Sequence, residues 1–421
     1  MTVELISVGT EILLGNIVNT NAAFLSCECA KLGLSCYYQT VVGDNAERLS
    51  LTLKTALDRS DIVILGGGLG PTQDDLTKEI AAKVCNKEMH LDEDAKKHIE
   101  DYFARKGKVI PDNNWKQAMI PADSVVLHNP NGTAPGVIIE YGEKRVILLP
   151  GPPNELKPMF LDQVVPYITK MLPGIILSKT VKICGIGESR VEEMIEDMIN
   201  AQTNPTIATY AKTAEVHLRV TAKADDETQA KKLLKPVVKE LKNRFGTTIY
   251  TTDDAVTLEM AIAELLLANN LTISTVESCT GGLLAGRLIN VPGISDVYKT
   301  GFITYSNKAK RKLVGVKKSS LEKYGAVSRQ VAEEMAVGLK DFTKADVVVS
   351  TTGIAGPDGG TKEKPVGLVY VCCIAGGVKV TRELNLNGNR AKVRESAVAN
   401  ALILLRECLL EYVSENTFGK E

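Results

Sequence analysis

The sequence predicts an α/β protein built from a doubly wound N-terminal domain, a small α+β connector and a second α/β domain at the C-terminus. Apolar runs of strand length alternate with helical stretches in the first third of the 421 residues and again after residue 251. This alternation is typical of parallel sheets covered by helices on both faces. Between these regions, the predicted order strand, helix, strand, strand, helix, strand indicates a compact α+β module.

The charge and cysteine content exclude several classes of protein. Lys and Arg number 50 and Asp and Glu 51, so a net charge of −1 leaves no positive surplus for nucleic acid or an anionic membrane. Nine cysteines without a CxxC pair indicate neither a disulfide framework nor a zinc ribbon. No basic segment precedes an apolar one at the N-terminus, and the apolar run 401–413 is short and charged. We expect a cytoplasmic protein with no nucleic-acid and no membrane partner.

The N-terminal domain, predicted for residues 1–172, is expected to contain a mostly parallel sheet. Strands are predicted at residues 3–8, 37–42, 61–65 and 145–149, and helices at residues 21–32 and 46–59. Three polar or glycine-rich loops leave this sheet, after Val8, after Leu65 and after Leu149. Ligands of such sheets bind beyond the carboxyl ends of the strands, so these loops predict a binding site.

The loop Gly66-Gly-Gly-Leu-Gly-Pro-Thr-Gln-Asp-Asp75 is the candidate for binding an anion. Without side chains, successive backbone amides can face a phosphate. The loop is not a P-loop, because no Lys-Ser/Thr follows the glycines, and Pro71 rules out GxGxxG. Its final carboxylates, Asp74 and Asp75, suggest a hard divalent metal with Glu11 or Glu155 as a further ligand. Alternatively, the polar residues of the loop only cap a helix.

Four motifs in this region resemble the N-terminal domain of the CinA family, which has a molybdopterin-binding-like fold. They are Gly9-Thr-Glu-Ile-Leu-Leu-Gly15, Gly66–Asp75, Gly132-Thr-Ala-Pro-Gly136 and Pro150-Gly-Pro-Pro-Asn-Glu155. The resemblance implies an ADP-ribose pyrophosphatase that uses a divalent metal such as Mg²⁺ or Co²⁺. The implied metal site comprises Asp74, Asp75 and Glu11. The implied nucleotide site comprises Gly66, Gly67, Gly68, Gly70, Thr72, Asn131, Gly151 and Glu155. A non-catalytic binder of a pterin or nucleotide is the alternative.

The connector, predicted for residues 173–250, follows a break at Pro173-Gly174. Strands are predicted at 176–185, 206–210, 215–222 and 247–250, and helices at 188–201 and 225–244. This order is that of a ferredoxin-like or KH-like module, and a KH-type domain occupies this place in the CinA family. Gly185-Ile-Gly187 does not form a GxxG clamp, and an acidic helix follows it, which argues against RNA binding. We interpret the connector as a spacer that also contributes to a homodimer.

A polar linker is predicted at residues 251–256 and the second α/β domain at 257–415. Within it, Ser278 stands where the strand 271–276 ends and a helix begins, with Gly281 and Gly282 just behind. A hydroxyl beside the free amides of a helix start is the arrangement of a nucleophile next to an oxyanion hole. Alternatively, Ser278 or Thr280 merely caps the helix.

The absence of histidine after residue 251 limits which residue can act as the general base for a serine nucleophile. All four histidines precede residue 251, so a Ser-His-Asp triad and a His-based zinc site are excluded if this domain acts alone. A serine nucleophile would then need a lysine whose pKa falls from about 10.4. Burial or a nearby cation would lower this pKa, and the segment Gly301–Lys312 clusters Lys308, Lys310, Arg311 and Lys312, whose charges could depress one another's pKa. Arg390 and Arg394 lie one turn apart on a helix, where they hold a phosphate or pair with Glu395 or Glu407.

Five motifs of this domain resemble the C-terminal CinA domain, a nicotinamide-nucleotide amidohydrolase. They are Glu277-Ser-Cys-Thr-Gly-Gly282, Tyr305-Ser-Asn-Lys-Ala-Lys310, Gly325-Ala-Val-Ser328, Thr352-Gly-Ile-Ala-Gly-Pro357 and Lys364-Pro-Val-Gly367. The resemblance implies hydrolysis of nicotinamide mononucleotide to nicotinate mononucleotide and ammonia without a cofactor. It implies Ser278 as nucleophile, Lys310 as base and Tyr305 as a nearby contact. The oxyanion hole and the other substrate contacts are assigned to Cys279, Thr280, Gly281, Gly282, Thr352, Gly353 and Arg394.

The resemblances together imply a bifunctional hydrolase of pyridine-nucleotide salvage whose substrates are nicotinamide mononucleotide and ADP-ribose. Two alternatives remain at this point. Cys279, adjacent to Ser278, is a second candidate nucleophile. A regulatory binder linked to competence or DNA damage would bind nucleotides without turnover.

Overall fold

The computed structural model describes residues 1–172 and 174–418, so the predicted boundary at Pro173 lies outside the described residues. The chain divides into two compact units. The first comprises Met1–Leu177 and Lys223–Ala230, and the second comprises Ser178–Ala222 and the chain from Lys231 onward. No helix in the described part of the chain is long and apolar enough to cross a membrane.

The N-terminal domain alternates strands and helices, as predicted. Its elements are β1 (Thr2–Val8), α1 (Thr10–Leu13), α2 (Thr20–Lys31), β2 (Ser35–Val42), α3 (Ala46–Arg59), β3 (Ile62–Gly66), α4 (Thr77–Val84), β4 (Met89–Leu91), α5 (Glu93–Arg105), a 3₁₀ helix (Asp112–Ala118), β5 (Met119–Pro121), β6 (Ser124–Leu127), β7 (Gly136–Tyr141), β8 (Lys144–Leu149), α6 (Pro153–Met159), a π-helical turn (Phe160–Val164) and α7 (Val165–Met171).

The sheet of this domain has the order β2-β1-β3-β8-β7-β6. The four strands predicted from the sequence are the four parallel ones, whereas β7 and β6 are antiparallel additions. Alternate residues of β1, β3 and β8 are buried on opposite faces, which explains why these strands are largely apolar in sequence. Ser7, Gly66 and Leu149 lie side by side in the register, so the three loops leave at one edge.

The connector contains β9 (Ile175–Cys184), α8 (Glu188–Ala201), β10 (Thr206–Lys212), β11 (Glu215–Ala224), α9 (Glu227–Phe245), a 3₁₀ turn (Gly246–Thr248) and β12 (Ile249–Thr251). This order confirms the predicted α+β module, and its sheet runs β10-β11-β9-β12. Two buried cations attach it to neighbouring segments of the second unit. Lys182 donates to the carbonyls of Asp254 and Val256, and Arg406 donates to those of Thr247 and Ile249.

The C-terminal domain contains α10 (Leu258–Ala268), β13 (Ile273–Glu277), α11 (Leu283–Ile289), a 3₁₀ turn (Ile294–Asp296), β14 (Tyr298–Ile303), α12 (Asn307–Val314), α13 (Lys318–Tyr324), α14 (Arg329–Thr343), β15 (Val347–Gly353), β16 (Leu368–Ala375), β17 (Val378–Asn385) and α15 (Arg390–Phe418). The sheet order is β14-β13-β15-β16-β17, with the first three strands parallel. Glu277 pairs with Ile303 and Thr351, so the loops after β13, β14 and β15 leave at one edge.

Candidate active sites

A cavity of about 250 Å³ lies at this edge of the C-terminal sheet. Its lining includes residues that follow three strands or begin a helix: Ser278 after β13, Tyr305 after β14, Thr352 at the end of β15 and Arg390 at the start of α15. Lys310 enters from α12. The sheet topology therefore gathers residues that are far apart in the chain.

Ser278 and Lys310 are in direct contact. The Lys310 Nζ donates to the Ser278 Oγ at 2.9 Å and to the Thr304 carbonyl at 2.7 Å. The lysine side chain is 1% exposed, and burial lowers its pKa to about 8. When the amine is neutral, the same contact lets Nζ accept the hydroxyl proton. This geometry is that of an activated serine.

Lys310 is buried because of its place on α12. Lys310 and Val314 form the inward face of this amphipathic helix, whereas Lys308, Arg311 and Lys312 are exposed. The sequence suggested that neighbouring cations would depress the lysine pKa. Burial, the other cause considered from the sequence, lowers the Lys310 pKa, and no neighbouring cation contributes to the shift.

The turn after β13 is closed by a carboxylate that sequence reasoning missed. Glu277 is 1% exposed and accepts the backbone N–H groups of Gly282, Leu284 and Ala285 at 3.0, 3.1 and 2.8 Å. An anion at a helix start satisfies the unpaired amides and the positive end of the helix dipole. The signal in the sequence was an acidic residue immediately before a strand-to-helix turn.

This bond corrects the predicted oxyanion hole. The amide of Gly282 is committed to Glu277, and that of Gly281 donates to the Ser278 carbonyl at 3.2 Å. Both glycines have positive φ values, 61° and 93°, which the tight turn requires. The amides of Cys279 and Thr280 lie beside the Cys279 sulfur and donate to no oxygen within the described ranges. They are the remaining candidates for an oxyanion hole at this turn.

Arg394 was expected to contact the substrate, but it is not part of the cavity lining. Its Nε donates to the Cys279 carbonyl at 3.0 Å and its Nη2 to the Thr280 carbonyl at 2.9 Å. The planar guanidinium spans two consecutive carbonyls, which places it against the turn from outside the cavity. Arg394 therefore positions the turn that carries Ser278.

Arg390 is the arginine that reaches the cavity. Its guanidinium donates to the Gly356 carbonyl at 2.7 Å and to the Tyr305 hydroxyl at 3.0 Å. Tyr305, 63% exposed, stands at the rim. The alternative of salt bridges with Glu395 or Glu407 is not realised among the residues that the structure describes, where Glu407 pairs with Arg382.

The remaining lining residues are polar or small. Thr352, Gly353 and Asp358 lie on the β15–β16 loop side, and the Thr352 hydroxyl donates to the Ala326 carbonyl at 2.8 Å. Asp358 was not singled out from the sequence. Cys279 also lines the cavity, but burial raises the pKa of its thiol to about 11. Because the thiolate is the reactive form, this environment argues against Cys279 as the nucleophile.

A larger cavity of about 620 Å³ lies at the strand edge of the N-terminal sheet. Most of the predicted site residues line it: Glu11, Gly66, Gly67, Gly68, Gly70, Asp74, Asp75, Gly151 and Glu155. Thr72 and Asn131 do not. The Thr72 hydroxyl donates to the Asp75 carboxylate, and the Asn131 amide donates to the Asn154 carbonyl at 2.7 Å.

The glycine-rich loop directs its carbonyls into the protein. The Gly67 and Gly68 carbonyls accept from the Thr77 side chain and amide at 2.9 and 3.1 Å, and the Leu69 carbonyl accepts from Gln117 at 3.2 Å. The N–H of a trans peptide points opposite to its carbonyl. The amides of residues 68, 69 and 70 therefore point away from these carbonyl partners, an arrangement compatible with an anion-binding nest.

The predicted metal site is not preassembled. Among the described residues, no three His, Cys, Asp or Glu side chains are grouped to hold a metal ion. Asp75 is used to close the loop, since its carboxylate accepts the amide of Thr72 at 3.0 Å and the hydroxyl of the same residue. The exposed Asp74 carboxylate fits a hard cation whose other ligands are waters and substrate phosphates, as Mg²⁺ prefers.

Comparison with protein-family models gives three matches along the chain. Residues 4–170 match the "Probable molybdopterin binding domain", residues 178–251 the "Damage-inducible protein CinA KH domain", and residues 255–409 the "CinA C-terminal domain". The molybdopterin-binding and KH assignments agree with the fold class predicted from the sequence.

Relatives that match this chain over nearly their whole length are named competence-damage inducible protein. A competence-damage inducible protein of Clostridium novyi (strain NT) is 54% identical over 411 residues, 97% of this chain and 99% of that protein. A protein of this name from Clostridium acetobutylicum is 53% identical over 404 residues, 96% and 98% of the two chains. Among solved structures, competence/damage inducible protein CihA from Agrobacterium tumefaciens is 42% identical, covers 36% of this chain and 93% of its own, and has a TM-score of 0.36.

Proposed function

The chain belongs to the CinA family, and we propose that its C-terminal domain hydrolyses the carboxamide of nicotinamide mononucleotide, releasing ammonia and nicotinate mononucleotide. The observation that carries this proposal is the 2.9 Å contact between the Lys310 Nζ and the Ser278 Oγ in a cavity at the strand edge. Amide hydrolysis requires a nucleophile, a base and oxyanion donors; Ser278, Lys310 and Cys279 line the cavity, and Thr280 follows Cys279 in the same turn.

In the first half of the reaction, the Ser278 Oγ attacks the carboxamide carbon while Lys310 takes the hydroxyl proton. The amides of Cys279 and Thr280 stabilise the oxyanion that forms. The Lys310 ammonium then donates its proton to the departing nitrogen, which leaves as ammonia. The product of this half is an ester between Ser278 and the nicotinoyl group.

In the second half, neutral Lys310 removes a proton from water, which attacks the ester carbon. The C–O bond to Ser278 breaks, and the proton returns to the serine oxygen. Nicotinate mononucleotide leaves, and the enzyme is restored. Arg390, with Tyr305 at the rim, supplies a guanidinium for the phosphate of the substrate.

An ammonia-release assay on nicotinamide mononucleotide, with and without EDTA, tests this proposal. We expect wild-type protein to release ammonia at an unchanged rate in EDTA, because no step uses a metal. The absence of ammonia release would overturn the proposed activity. Loss of activity in EDTA would overturn the serine–lysine mechanism.

Arg394→Gln tests the turn that carries the nucleophile. Because Arg394 holds the carbonyls of Cys279 and Thr280 from outside the cavity, its loss should lower kcat about tenfold, the effect of about 1.4 kcal/mol in the barrier, with little change in KM. Glu395→Gln, an exposed neighbour on the same helix, is the control and should behave as wild type. A rise in KM without a fall in kcat would instead assign Arg394 to substrate binding.

The N-terminal domain is the site of a second activity in this proposal, the hydrolysis of the diphosphate of ADP-ribose. The amides of residues 68–70 and the 620 Å³ cavity support it, because they suit a nucleotide diphosphate. Asp74 would hold the divalent cation together with the diphosphate. When bound, such a cation neutralises charge on the phosphates and polarises the bond to be cleaved.

Asp74→Asn should lower ADP-ribose hydrolysis by about tenfold or more, because a ligand of the cation is lost. EDTA should abolish the same activity, while ammonia release stays unchanged in both cases. Asp94→Asn, an exposed carboxylate on α5 outside the cavity, is the matched control. If wild-type protein binds ADP-ribose tightly but does not cleave it with any divalent metal, the domain is a binding module rather than an enzyme.

A further inference from the structure

Two motifs of the C-terminal domain, Gly325-Ala-Val-Ser328 and Lys364-Pro-Val-Gly367, have no part in the chemistry described above. Ala326 and Val327 line the cavity that holds Ser278 and Lys310. Lys364 does not line it, although it comes from the loop just beyond Gly360. The contacts between the two motifs provide a reason for both.

The side chain of Lys364 is hydrogen-bonded to the backbone around the motif Gly325–Ser328. Its Nζ donates to the carbonyl of Tyr324 at 2.5 Å and to that of Val327 at 2.6 Å. These two bonds bracket Ala326. A Cβ on Gly325 would lie 3.2 Å from the same Nζ, so the absence of a side chain there lets the ammonium approach the backbone.

The backbone of Lys364 is itself held in place by hydrogen bonds. Its backbone N–H donates to the Thr361 hydroxyl at 3.0 Å, and its carbonyl accepts the Thr361 amide at 2.8 Å. Two residues further on, Val366 fills the space beside Gly356. A Cβ on Gly356 would lie only 2.6 Å from the Val366 Cγ1. The motif therefore contacts both walls of the cavity, the wall at residues 326–327 through Lys364 and the wall at residues 356–360 through Val366.

The ammonium of Lys364 is bonded to carbonyls and not to an acid. Across the described residues, no carboxylate lies within ion-pair distance of it. Carbonyl oxygens leave its positive charge without an ion-pair partner beside a cavity whose lining contains Arg390 and one carboxylate, Asp358. A positive charge beside the cavity favours the binding of a substrate that carries a phosphate. A cation that makes two directed hydrogen bonds also holds a loop more firmly than a cation that makes one.

We propose that Lys364 is a positioning residue for substrate binding, which holds the wall formed by Ala326 and Val327 at the distance that the substrate requires. This inference rests on the proposed amidohydrolase function. Lys364 takes no part in the hydrogen bonds that the structure shows for the Lys310 amine and the Ser278 hydroxyl. Its loss is therefore expected to weaken the binding of nicotinamide mononucleotide without changing the protonation of the base.

The test compares Lys364→Met, Lys364→Arg and Lys362→Met in the full chain. Lys362 lies two residues away, is exposed and serves as the matched control. We expect Lys364→Met to raise KM about tenfold with kcat nearly unchanged, and Lys364→Arg to recover most of the loss, since guanidinium can donate to both carbonyls. The pH midpoint of kcat/KM should stay that of wild type in all three, and thermal unfolding shows whether each variant is folded.

An unchanged KM in Lys364→Met, or a Lys364→Arg variant as impaired as Lys364→Met, would overturn the assignment while leaving the proposed function intact. Equal losses in Lys362→Met and Lys364→Met would also overturn it, because the effect would then be one of charge at a distance. Calorimetric titration with nicotinamide mononucleotide separates the two proposals. A wild-type protein that neither releases ammonia nor binds this nucleotide overturns the proposed function and this inference with it.

Discussion

Replacing Ser278 with alanine is expected to reduce ammonia release from nicotinamide mononucleotide by on the order of 10⁴-fold or more, the scale on which loss of a nucleophile acts in hydrolases. Among the described residues, the Lys310 Nζ has two hydrogen-bond partners, and the Ser278 Oγ is the one that can form an ester, because the other is a backbone carbonyl. Binding of the nucleotide should be retained, because the alanine removes one oxygen from a cavity whose other walls stay in place.

The control for this substitution is Cys279→Ala. Cys279 lines the same cavity, but burial raises the pKa of its thiol to about 11, so little thiolate forms near neutral pH. We expect Cys279→Ala to retain ammonia release within a few-fold of wild type. An inactive Cys279→Ala protein beside an active Ser278→Ala protein would reverse the assignment of the nucleophile. Calorimetry on Ser278→Ala checks that the site is intact.

The strands that the sequence predicted include the most buried ones, although the antiparallel β7, in which Val137, Ile138 and Ile139 are buried, was not predicted. β1, β3, β8, β13 and β15 are covered on both faces, and their short stretches rich in apolar and β-branched residues are visible without a structure. The antiparallel strand β6 was not predicted. It is four residues long, and its Val125 and Val126 are 40% and 37% exposed, so no buried face imposes a periodic pattern on it.

In the candidate site of the C-terminal domain, the sequence predicted the paired side chains better than the oxyanion-hole amides. Ser278 and Lys310 follow from a strand end, from the absence of histidine and from the family resemblance, and they lie in contact. The assignment of amides to the oxyanion hole was less successful, because it depends on which N–H groups the turn leaves unused. Glu277 takes the amide of Gly282, and only the path of the backbone shows this. A sequence pattern lists donors but does not tell which are already committed.

Three cations around the C-terminal cavity share a feature that sequence reasoning did not anticipate. Lys310, Lys364 and Arg394 each donate to backbone carbonyls, and none has a carboxylate partner within the described residues. Lysines and arginines in a sequence are expected at solvated surfaces. The cavity lining itself contains Lys310 and Arg390 against one carboxylate, Asp358, and this balance favours an anionic substrate such as a nucleotide.

Lys310→Met is expected to lower kcat/KM for nicotinamide mononucleotide by roughly 10³-fold, within the range of general-base catalysis. The methionine keeps the length of the side chain and removes the amine that contacts the Ser278 Oγ. It also removes a buried cation, so the variant should unfold at a temperature no lower than wild type. Lys308→Met, exposed on the same helix, is the matched control and should keep full activity.

The pH dependence of wild-type protein tests the same lysine independently. Burial lowers the pKa of Lys310 to about 8, and only the neutral amine accepts a proton. Below this value, kcat/KM should therefore rise about tenfold per pH unit, and above it the rate should level off. Lys310→Arg should remain inactive across the range, because guanidinium keeps its proton. A wild-type profile that is flat between about pH 6 and 8, or a Lys310→Met protein with the wild-type midpoint, would assign the base to another group.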